Sequence, residues 1–188
     1  DIRTIPSVVG GDEKQRKGVV LAKSFPAKKA GIVTGEPIYK ARRKVDKLLV
    51  VTGARDKYSY YSDEFYKILC KYSPVIERYS SDECFMDMTG MELLYDDPIK
   101  LAYKIKDEIY KELGFTVNVG IGNSKLCAKM ASDFEKPNRV HTLFDEEIKT
   151  KMWPLKIEEL FMVGKSSSGK LRQIGINTIG DLAKIDVN

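Results

Sequence analysis

Residues 79 to 90 read Tyr79-Ser80-Ser81-Asp82-Glu83-Cys84-Phe85-Met86-Asp87-Met88-Thr89-Gly90. From residue 84 to residue 88 the side chains alternate as expected for a half-buried strand, and the adjacent carboxylates Asp82 and Glu83 stand just before it. Neighbouring carboxylates repel each other and are unfavourable against a sheet unless a cation accompanies them. Their hard oxygen atoms are ligands that Mg²⁺ prefers. The stretch therefore predicts a magnesium site beside a hairpin, with a solvated acidic turn as the alternative.

The remaining sequence alternates between short strand and helix patterns. Strands are predicted at residues 8–9, 19–22, 48–51, 115–121 and 140–144, with a hairpin loop over 10–18. Helices are predicted from Ser24 to Gly31, over 37–45, 58–72 and 97–113, and from Asn123 to Phe134. Beyond residue 145 only short helices are indicated. This order favours an α+β fold in which helices cover one face of an antiparallel-rich sheet.

Composition limits the class of protein. The 188 residues are 43% hydrophobic and 31% charged, which is typical of a folded chain with a core in one to three small units. The net charge of +5 fits a polyanionic partner. No apolar run could span a bilayer, and no secretory signal is visible. The three cysteines, an odd and widely spaced set, predict buried free thiols and a cytoplasmic location.

Three lysine-bearing segments could contact phosphate. Ser24 can cap a short helix that carries Lys28, and the N–H groups of a helix start attract anions. Lys125 and Lys129 share one helix face, and Lys136 follows that helix in a loop. Each of these lysines could instead be a solvated surface group.

The last segment predicts a small pair of helices with a DNA-contacting turn. Residues 160–165 and 170–183 carry an apolar set that would form the core of the pair: Leu171, Ile174, Ile176, Ile179 and Leu182. Gly164 would let the backbone approach a phosphate, and Lys165 would add charge. The helical pair is expected with or without DNA contact.

Taken together, these motifs resemble the Y-family (translesion) DNA polymerases, the group that includes the ImpB/MucB/SamB proteins. Residues 79–90 resemble the family's catalytic hairpin, and 24–31, 123–133 and 136–138 match further motifs in the same order. The resemblance implies a ferredoxin-like palm, a small fingers domain and an all-helical thumb with a helix-hairpin-helix-like element. Residues 1–54 would be most of the fingers, 55–143 most of the palm and 144–188 the thumb.

The resemblance also implies a reaction and its residues. Asp82 and Glu83 would hold two Mg²⁺ ions, and the enzyme would transfer a nucleotidyl group from a dNTP to a primer 3′-OH. Phe25, Lys28 and Lys136 would contact the nucleotide, although the family has Tyr and Arg where this chain has Phe25 and Lys28. The residues expected to contact primer–template DNA are Lys125, Lys129, Gly164 and Lys165. A sliding clamp is a further implied partner.

The resemblance leaves two family parts outside the chain. A first palm strand with another metal-binding Asp would precede Asp1, and a DNA-gripping domain that could also bind the clamp would follow Asn188. Purified 1–188 is therefore expected to show little primer extension. Two alternatives stay open, a noncatalytic DNA-binding module and a nucleotide cyclase. The cyclase rests on a Gly-Gly-Asp-Glu pattern at residues 10–13, in which Lys14 replaces the signature's final Phe.

Overall fold

A computed structural model describes residues 1–11 and 18–186, so most of the predicted 10–18 loop lies outside the described residues. The chain divides into two compact units, Asp1–Ser59 and Tyr60–Asn188. The first unit contains strands β1 (Ser7–Gly10), β2 (Val20–Lys23) and β3 (Leu49–Thr52) with helices α1 (Phe25–Lys29) and α2 (Ile38–Lys44). Its sheet has the order β2-β1-β3, in which β1 pairs antiparallel with β2 and parallel with β3.

The first unit has its own apolar core, as its sequence pattern predicts. One side of the sheet and the two helices bury a shared set: Val8, Val20, Ala27, Ile32, Ile38, Ala41 and Leu48. The parallel pairing of β1 and β3 requires a long crossover, and the segment that includes α1 and α2 supplies it.

Helix α3 (Arg55–Leu69) leads to a hairpin of strands β4 (Ile76–Arg78) and β5 (Cys84–Met86), and helix α4 (Pro98–Leu113) follows. The strands pair antiparallel, with Arg78 opposite Cys84. Cys84, Met86 and Met88 pack against the buried faces of α3 and α4, which confirms the alternation predicted for this stretch. The helical spacing of the apolar residues from Tyr58 to Tyr72 predicts that Tyr58 and Tyr61 face the core. This prediction is wrong, because the two residues are 52% and 43% exposed.

Strand β6 (Val119–Gly122), helix α5 (Lys125–Asp133) and strand β7 (Val140–Leu143) form one supersecondary unit. The two strands are parallel, and α5 is the crossover that a parallel pair needs. The backbones of β6 and α5 are very close, since a Cβ atom on Gly120 would lie 1.9 Å from the carbonyl oxygen of Ala128. Ser124 caps α5 by accepting from the N–H of Cys127 at 3.2 Å, so the predicted cap at Asn123 is wrong.

The predicted antiparallel-rich sheet does not form as one sheet. In the described part of the second unit, β4 and β5 form one two-stranded sheet, and β6 and β7 form another that is parallel. The strand predicted over 115–121 is shorter and occupies Val119–Gly122. The α+β class itself is confirmed.

Short helices make up the C-terminal segment, as predicted. They are two 3₁₀ turns (Asp145–Glu147 and Ile157–Glu159), a π turn (Ile148–Met152), α6 (Lys165–Gln173) and α7 (Ile179–Ala183). Ile176 and Ile179 are buried, whereas Ile174 is 72% exposed and was wrongly expected in the core. None of the described helices is long and apolar enough to cross a membrane. All three cysteines are free, but Cys70 is exposed, contrary to expectation.

Candidate active site

The acidic pair lies in the turn of the β4–β5 hairpin, where the sequence predicts it. The backbone carbonyl of Glu83 accepts from the N–H groups of Tyr79 and Ser80 at 2.9 and 3.1 Å, which closes the turn. Asp82 is exposed, and its Oδ1 accepts from the Ser80 hydroxyl at 2.8 Å. The turn therefore holds Asp82 toward solvent with one carboxylate oxygen already oriented.

Glu83 is joined to helix α5. Its Oε1 accepts from Lys129 Nζ at 2.5 Å, and the Lys129 side chain is only 13% exposed. Lys129 also lies 3.3 Å from Asp133 Oδ2, one helical turn further along α5. A solvated surface lysine is therefore the wrong description of Lys129.

The ion pairs continue from Asp133 to Lys136, whose Nζ lies 2.6 Å from Asp133 Oδ1. Burial lowers the pKa of Lys129, but the hydrogen bond to Glu83 and the charges of Asp133 and Glu83 outweigh burial and raise this pKa above its usual value. Burial raises the pKa of Asp133, but the hydrogen bond to Lys136 and the charge of Lys129 leave it below its usual value. The pKa shifts of Lys129 and Asp133 therefore both favour the charged forms of these two side chains. Acidic and basic residues alternate along the contacts from Glu83 through Lys129 and Asp133 to Lys136.

Lys125 also faces the hairpin. It forms an ion pair with Glu77 on β4, and its Nζ lies 5.9 Å from the ring centre of Phe85 on β5. The predicted shared face of Lys125 and Lys129 is confirmed, because both lysines contact carboxylates of the same hairpin. Both are engaged within the protein, and a DNA contact would compete with these pairs.

The donor set can be tested against the predicted magnesium site. Across residues 1–11 and 18–186, no three His, Cys, Asp or Glu side chains are grouped so that they could hold a metal ion. Asp82 and Glu83 nevertheless provide two adjacent carboxylates at an exposed turn. Mg²⁺ commonly binds through one or two carboxylates, with waters and substrate phosphates completing its shell. The pair fits that partial donor set.

The predicted nucleotide contacts of the first unit lie on α1. Phe25 is 82% exposed and, with Pro26, Lys28 and Lys29, lines a surface hollow. The backbone of residues 26–28 at this helix start offers no free N–H donor. Pro26 has none, that of Ala27 bonds to the Ser24 hydroxyl at 3.3 Å, and that of Lys28 bonds to the Ser24 carbonyl at 2.9 Å. An anion would therefore meet the side chain of Lys28 and not a row of amides.

In the C-terminal segment, Gly164 is the N-cap of α6 and exposed Lys165 is its first residue. The turn between α6 and α7 contains Gly175, which has a φ of 88°. The Gly-Gly-Asp-Glu pattern behind the cyclase alternative extends beyond the described residues at positions 12 and 13.

Three contacts escaped the sequence analysis. The i, i+4 spacing of Lys129 and Asp133 was a usable signal for their pairing. A second contact joins Lys106 on α4 to Asn138, and the apolar stripe around Lys106 gave no indication of it. Neither the alternation of β5 nor the periodicity of α5 indicates that Glu83 meets Lys129.

This fold, with an acidic hairpin beside a βαβ unit, is similar to that of Y-family DNA polymerases. A structure described as "Y-family DNA polymerase chimera Dbh-Dpo4(243-245)-Dbh" matches 96% of this chain and 54% of its own, with a TM-score of 0.85 and 30% identity. A second, described as "Insertion ternary complex of Dbh DNA polymerase", matches 96% of this chain and 54% of its own, with a TM-score of 0.85 and 29% identity.

The chain belongs to the impB/mucB/samB family, whose model matches residues 1–133. Among curated relatives, "DNA polymerase IV" of Clostridium acetobutylicum is 55% identical over 188 residues, which is all of this chain and 47% of that protein. The chain thus spans about half the length of the relatives it matches.

Proposed function

We propose that this chain is part of a translesion DNA polymerase, and that the whole protein adds a nucleotide from a dNTP to a primer strand during DNA damage tolerance. The primer 3′-oxygen bonds to the α-phosphorus as the bond from that phosphorus to the bridging oxygen breaks. Pyrophosphate leaves, and the hydroxyl proton passes to water. The observation that carries this proposal is the Asp82–Glu83 turn, which lies beside the lysines of α5 in a chain of the impB/mucB/samB family.

In this proposal Asp82 and Glu83 hold two Mg²⁺ ions. When bound, these ions supply positive charge that stabilises the triphosphate and makes the 3′-hydroxyl easier to deprotonate. Asp82 contributes an exposed carboxylate whose orientation is set by Ser80. Glu83 contributes a carboxylate that is already neutralised by Lys129, so a divalent ion would exchange for, or share, that partner.

The triphosphate would be bound by lysines and not by a bidentate arginine. Lys136 is 58% exposed and pairs with Asp133, so its ammonium can turn to a phosphate at modest cost. Lys28 would supply a second point charge from α1. Phe25 would pack against the nucleotide without donating a hydrogen bond.

Primer–template DNA would be bound by the C-terminal segment, through the backbone at Gly164 and the charge of Lys165. Contacts from Lys125 and Lys129 to DNA would compete with the ion pairs that both lysines form with the hairpin. In domain terms, residues 1–54 would belong to the fingers, 55–143 to the palm and 144–188 to a thumb with a helix-hairpin-helix-like element. A sliding clamp would bind elsewhere in the whole protein.

The decisive experiment compares two acidic substitutions in the full-length protein. Asp82→Ala is expected to reduce primer extension by at least a hundredfold while primer–template affinity stays within about twofold, because charge stabilisation at the reacting phosphate is lost. Glu146→Ala, which removes an exposed carboxylate from the 3₁₀ turn Asp145–Glu147, is the matched control and should extend normally.

Two results would contradict the proposal. If the parent protein binds DNA but never extends a primer, the chain is a noncatalytic DNA-binding module. If incubation with GTP alone gives a cyclic product without DNA, it is a nucleotide cyclase.

A further inference from the structure

One lysine of α4 lies inside the protein. Lys106 is 6% exposed, and among the residues whose burial the structure describes it is the one charged residue within the buried set. Removing an ammonium group from water is strongly unfavourable unless hydrogen-bond acceptors replace the water. A lysine at this position therefore implies partners that matter to the structure around it.

Two acceptors bind the Lys106 ammonium. Its Nζ donates to Asp107 Oδ1 at 2.8 Å and to Asn138 Oδ1 at 3.0 Å. Asp107 is the next residue on the same helix, and its side chain is 70% exposed. Asn138 lies 32 residues further along the chain, in the loop after α5. The contact with Asn138 is therefore the one that fixes another element to α4.

Asn138 holds the centre of this loop in an unusual conformation. Its φ is 62°, in the left-handed region that asparagine tolerates better than most residues do. On one side, the Arg139 N–H donates to Asn118 Oδ1 at 3.0 Å, which ties the loop to the start of β6. On the other side, Lys136 pairs with Asp133. Lys106 thus anchors the middle of a loop whose two ends are also held.

We propose that Lys106 is a positioning residue for nucleotide binding. Its hydrogen bond to Asn138 fixes the loop of residues 136–138, and the fixed loop directs the Lys136 ammonium toward the triphosphate of the incoming nucleotide. Lys106 touches no substrate in this role, since its effect passes through Asn138. The inference rests on the proposed function, which assigns Lys136 to the triphosphate.

The test is a double-mutant cycle in the full-length polymerase, with dNTP KM, kcat and primer–template Kd measured for each variant. Lys106→Met removes the donor and keeps the length of the side chain, and Lys106→Arg keeps a donor. Asn138→Gly removes the acceptor, and glycine readily adopts the positive φ of this position. This variant therefore tests the role of the hydrogen bond even if Lys106→Met fails to fold. Lys111→Met changes an exposed lysine on the same helix and is the matched control.

Lys106→Met and Asn138→Gly are each expected to raise the dNTP KM about tenfold, the size of losing one hydrogen bond to a charged group. The affinity for primer–template DNA should stay within about twofold of the parent's. Lys106→Arg should have a dNTP KM close to that of the parent protein, and Lys111→Met should match the parent. Combined with Lys136→Ala, Lys106→Met should raise KM no further than Lys136→Ala alone.

The other outcomes distinguish the positioning role of Lys106 from the proposed nucleotide-binding role of Lys136. If Lys136→Ala raises the KM but Lys106→Met and Asn138→Gly do not, the positioning role is overturned while the proposed function stands. Additive effects of Lys106→Met and Lys136→Ala would also overturn it, because they would show that Lys106 acts independently of Lys136. If Lys136→Ala leaves the KM unchanged, the nucleotide role of Lys136 is wrong and the positioning role fails with it.

Discussion

Lys129 Nζ lies 2.5 Å from Glu83 Oε1, so the ammonium group of a lysine already occupies the space beside one of the two adjacent carboxylates. The Lys129 side chain is mostly buried and also contacts Asp133, which keeps its ammonium near the hairpin. A divalent ion that approaches Glu83 is therefore repelled by a fixed positive charge. The ion pair joins the hairpin to α5, and we expect it to lower the affinity of the hairpin for a divalent ion.

We therefore predict that Lys129→Met tightens divalent binding at the hairpin. Mn²⁺ affinity should rise about tenfold, because a unit charge within a few ångströms of the carboxylate is removed. Electron paramagnetic resonance of free Mn²⁺ during a titration of the DNA-free protein measures this directly. Lys125→Met is the matched control, since it removes a lysine from the same helix face that pairs with Glu77 instead. A weaker Mn²⁺ affinity in Lys129→Met would show that Lys129 orients Glu83 and does not compete.

The close contact between β6 and α5 gives a prediction about stability. Gly120→Ala would place a Cβ atom 1.9 Å from the Ala128 carbonyl oxygen and 2.5 Å from the Ser132 nitrogen, both rigid backbone atoms of α5. We expect the free energy of unfolding to fall by about 3 kcal/mol, as in overpacked sites. Gly169→Ala is the control, because a Cβ atom added there in α6 would meet no atom within 4 Å apart from its chain neighbours and the backbone of its own helix. It should raise stability by about 0.5–1 kcal/mol through helix propensity.

Urea denaturation followed by circular dichroism measures both glycine variants. Equal stability of Gly120→Ala and the parent protein would mean that α5 can move away from β6 at little cost. That outcome would contradict the close packing on which the position of Lys129 depends.

The helices were the most predictable part of the fold because their signals are local. Asp97 and Pro98 mark a start and Gly114 marks a stop, and α4 occupies Pro98–Leu113 between them. Strand partners were not predictable, because alternation identifies a buried face but not the neighbouring strand. A helix between two strands permits a parallel pair, and β6 and β7 form one where an antiparallel-rich sheet was expected.

The candidate site shows the same division between local and distant information. The alternation after Glu83 correctly located the carboxylates in a hairpin turn. The partner of Glu83 is 46 residues away, and helical periodicity describes Lys129 only as one member of a basic face. The hydrogen bond from Lys106 could not be predicted for a related reason, since its acceptor Asn138 belongs to a loop without any periodic pattern.

The cap of α4 predicts a pH dependence. Asp97 Oδ1 accepts from the N–H groups of Lys100 and Ile99, and these bonds, with the bond to Lys100 the stronger influence, hold the pKa of Asp97 below its usual value. A carboxyl group whose pKa is lower in the folded state contributes stability at neutral pH. That contribution is lost as the pH falls from about 4, the unfolded value, through the folded value.

Thermal melts between about pH 6 and pH 3 check this, because the Asp97 contribution begins to fall within that range. Asp97→Asn keeps a capping side chain but cannot titrate, so its melting temperature should fall less steeply with pH than that of the parent. Asp96→Asn, which changes the preceding carboxylate, is the matched control. Identical slopes for the parent and Asp97→Asn would show that the cap is not a source of acid sensitivity.

The departure from the family at Phe25 yields a prediction for the first unit. Phe25 is 82% exposed, so a hydroxyl added to its ring meets no buried surface, and Phe25→Tyr should leave the melting temperature unchanged. If Phe25 contacts the triphosphate as proposed, the new hydroxyl can donate to a phosphate oxygen. The dNTP KM of the full-length polymerase should then fall about threefold, the size of a modest net hydrogen bond. Phe25→Leu is the control that removes the ring and adds no donor, and it should not lower the KM. A KM unchanged by Phe25→Tyr would mean that the nucleotide lies beyond reach of this side chain, and of the two contacts proposed on α1 only that of Lys28 would remain.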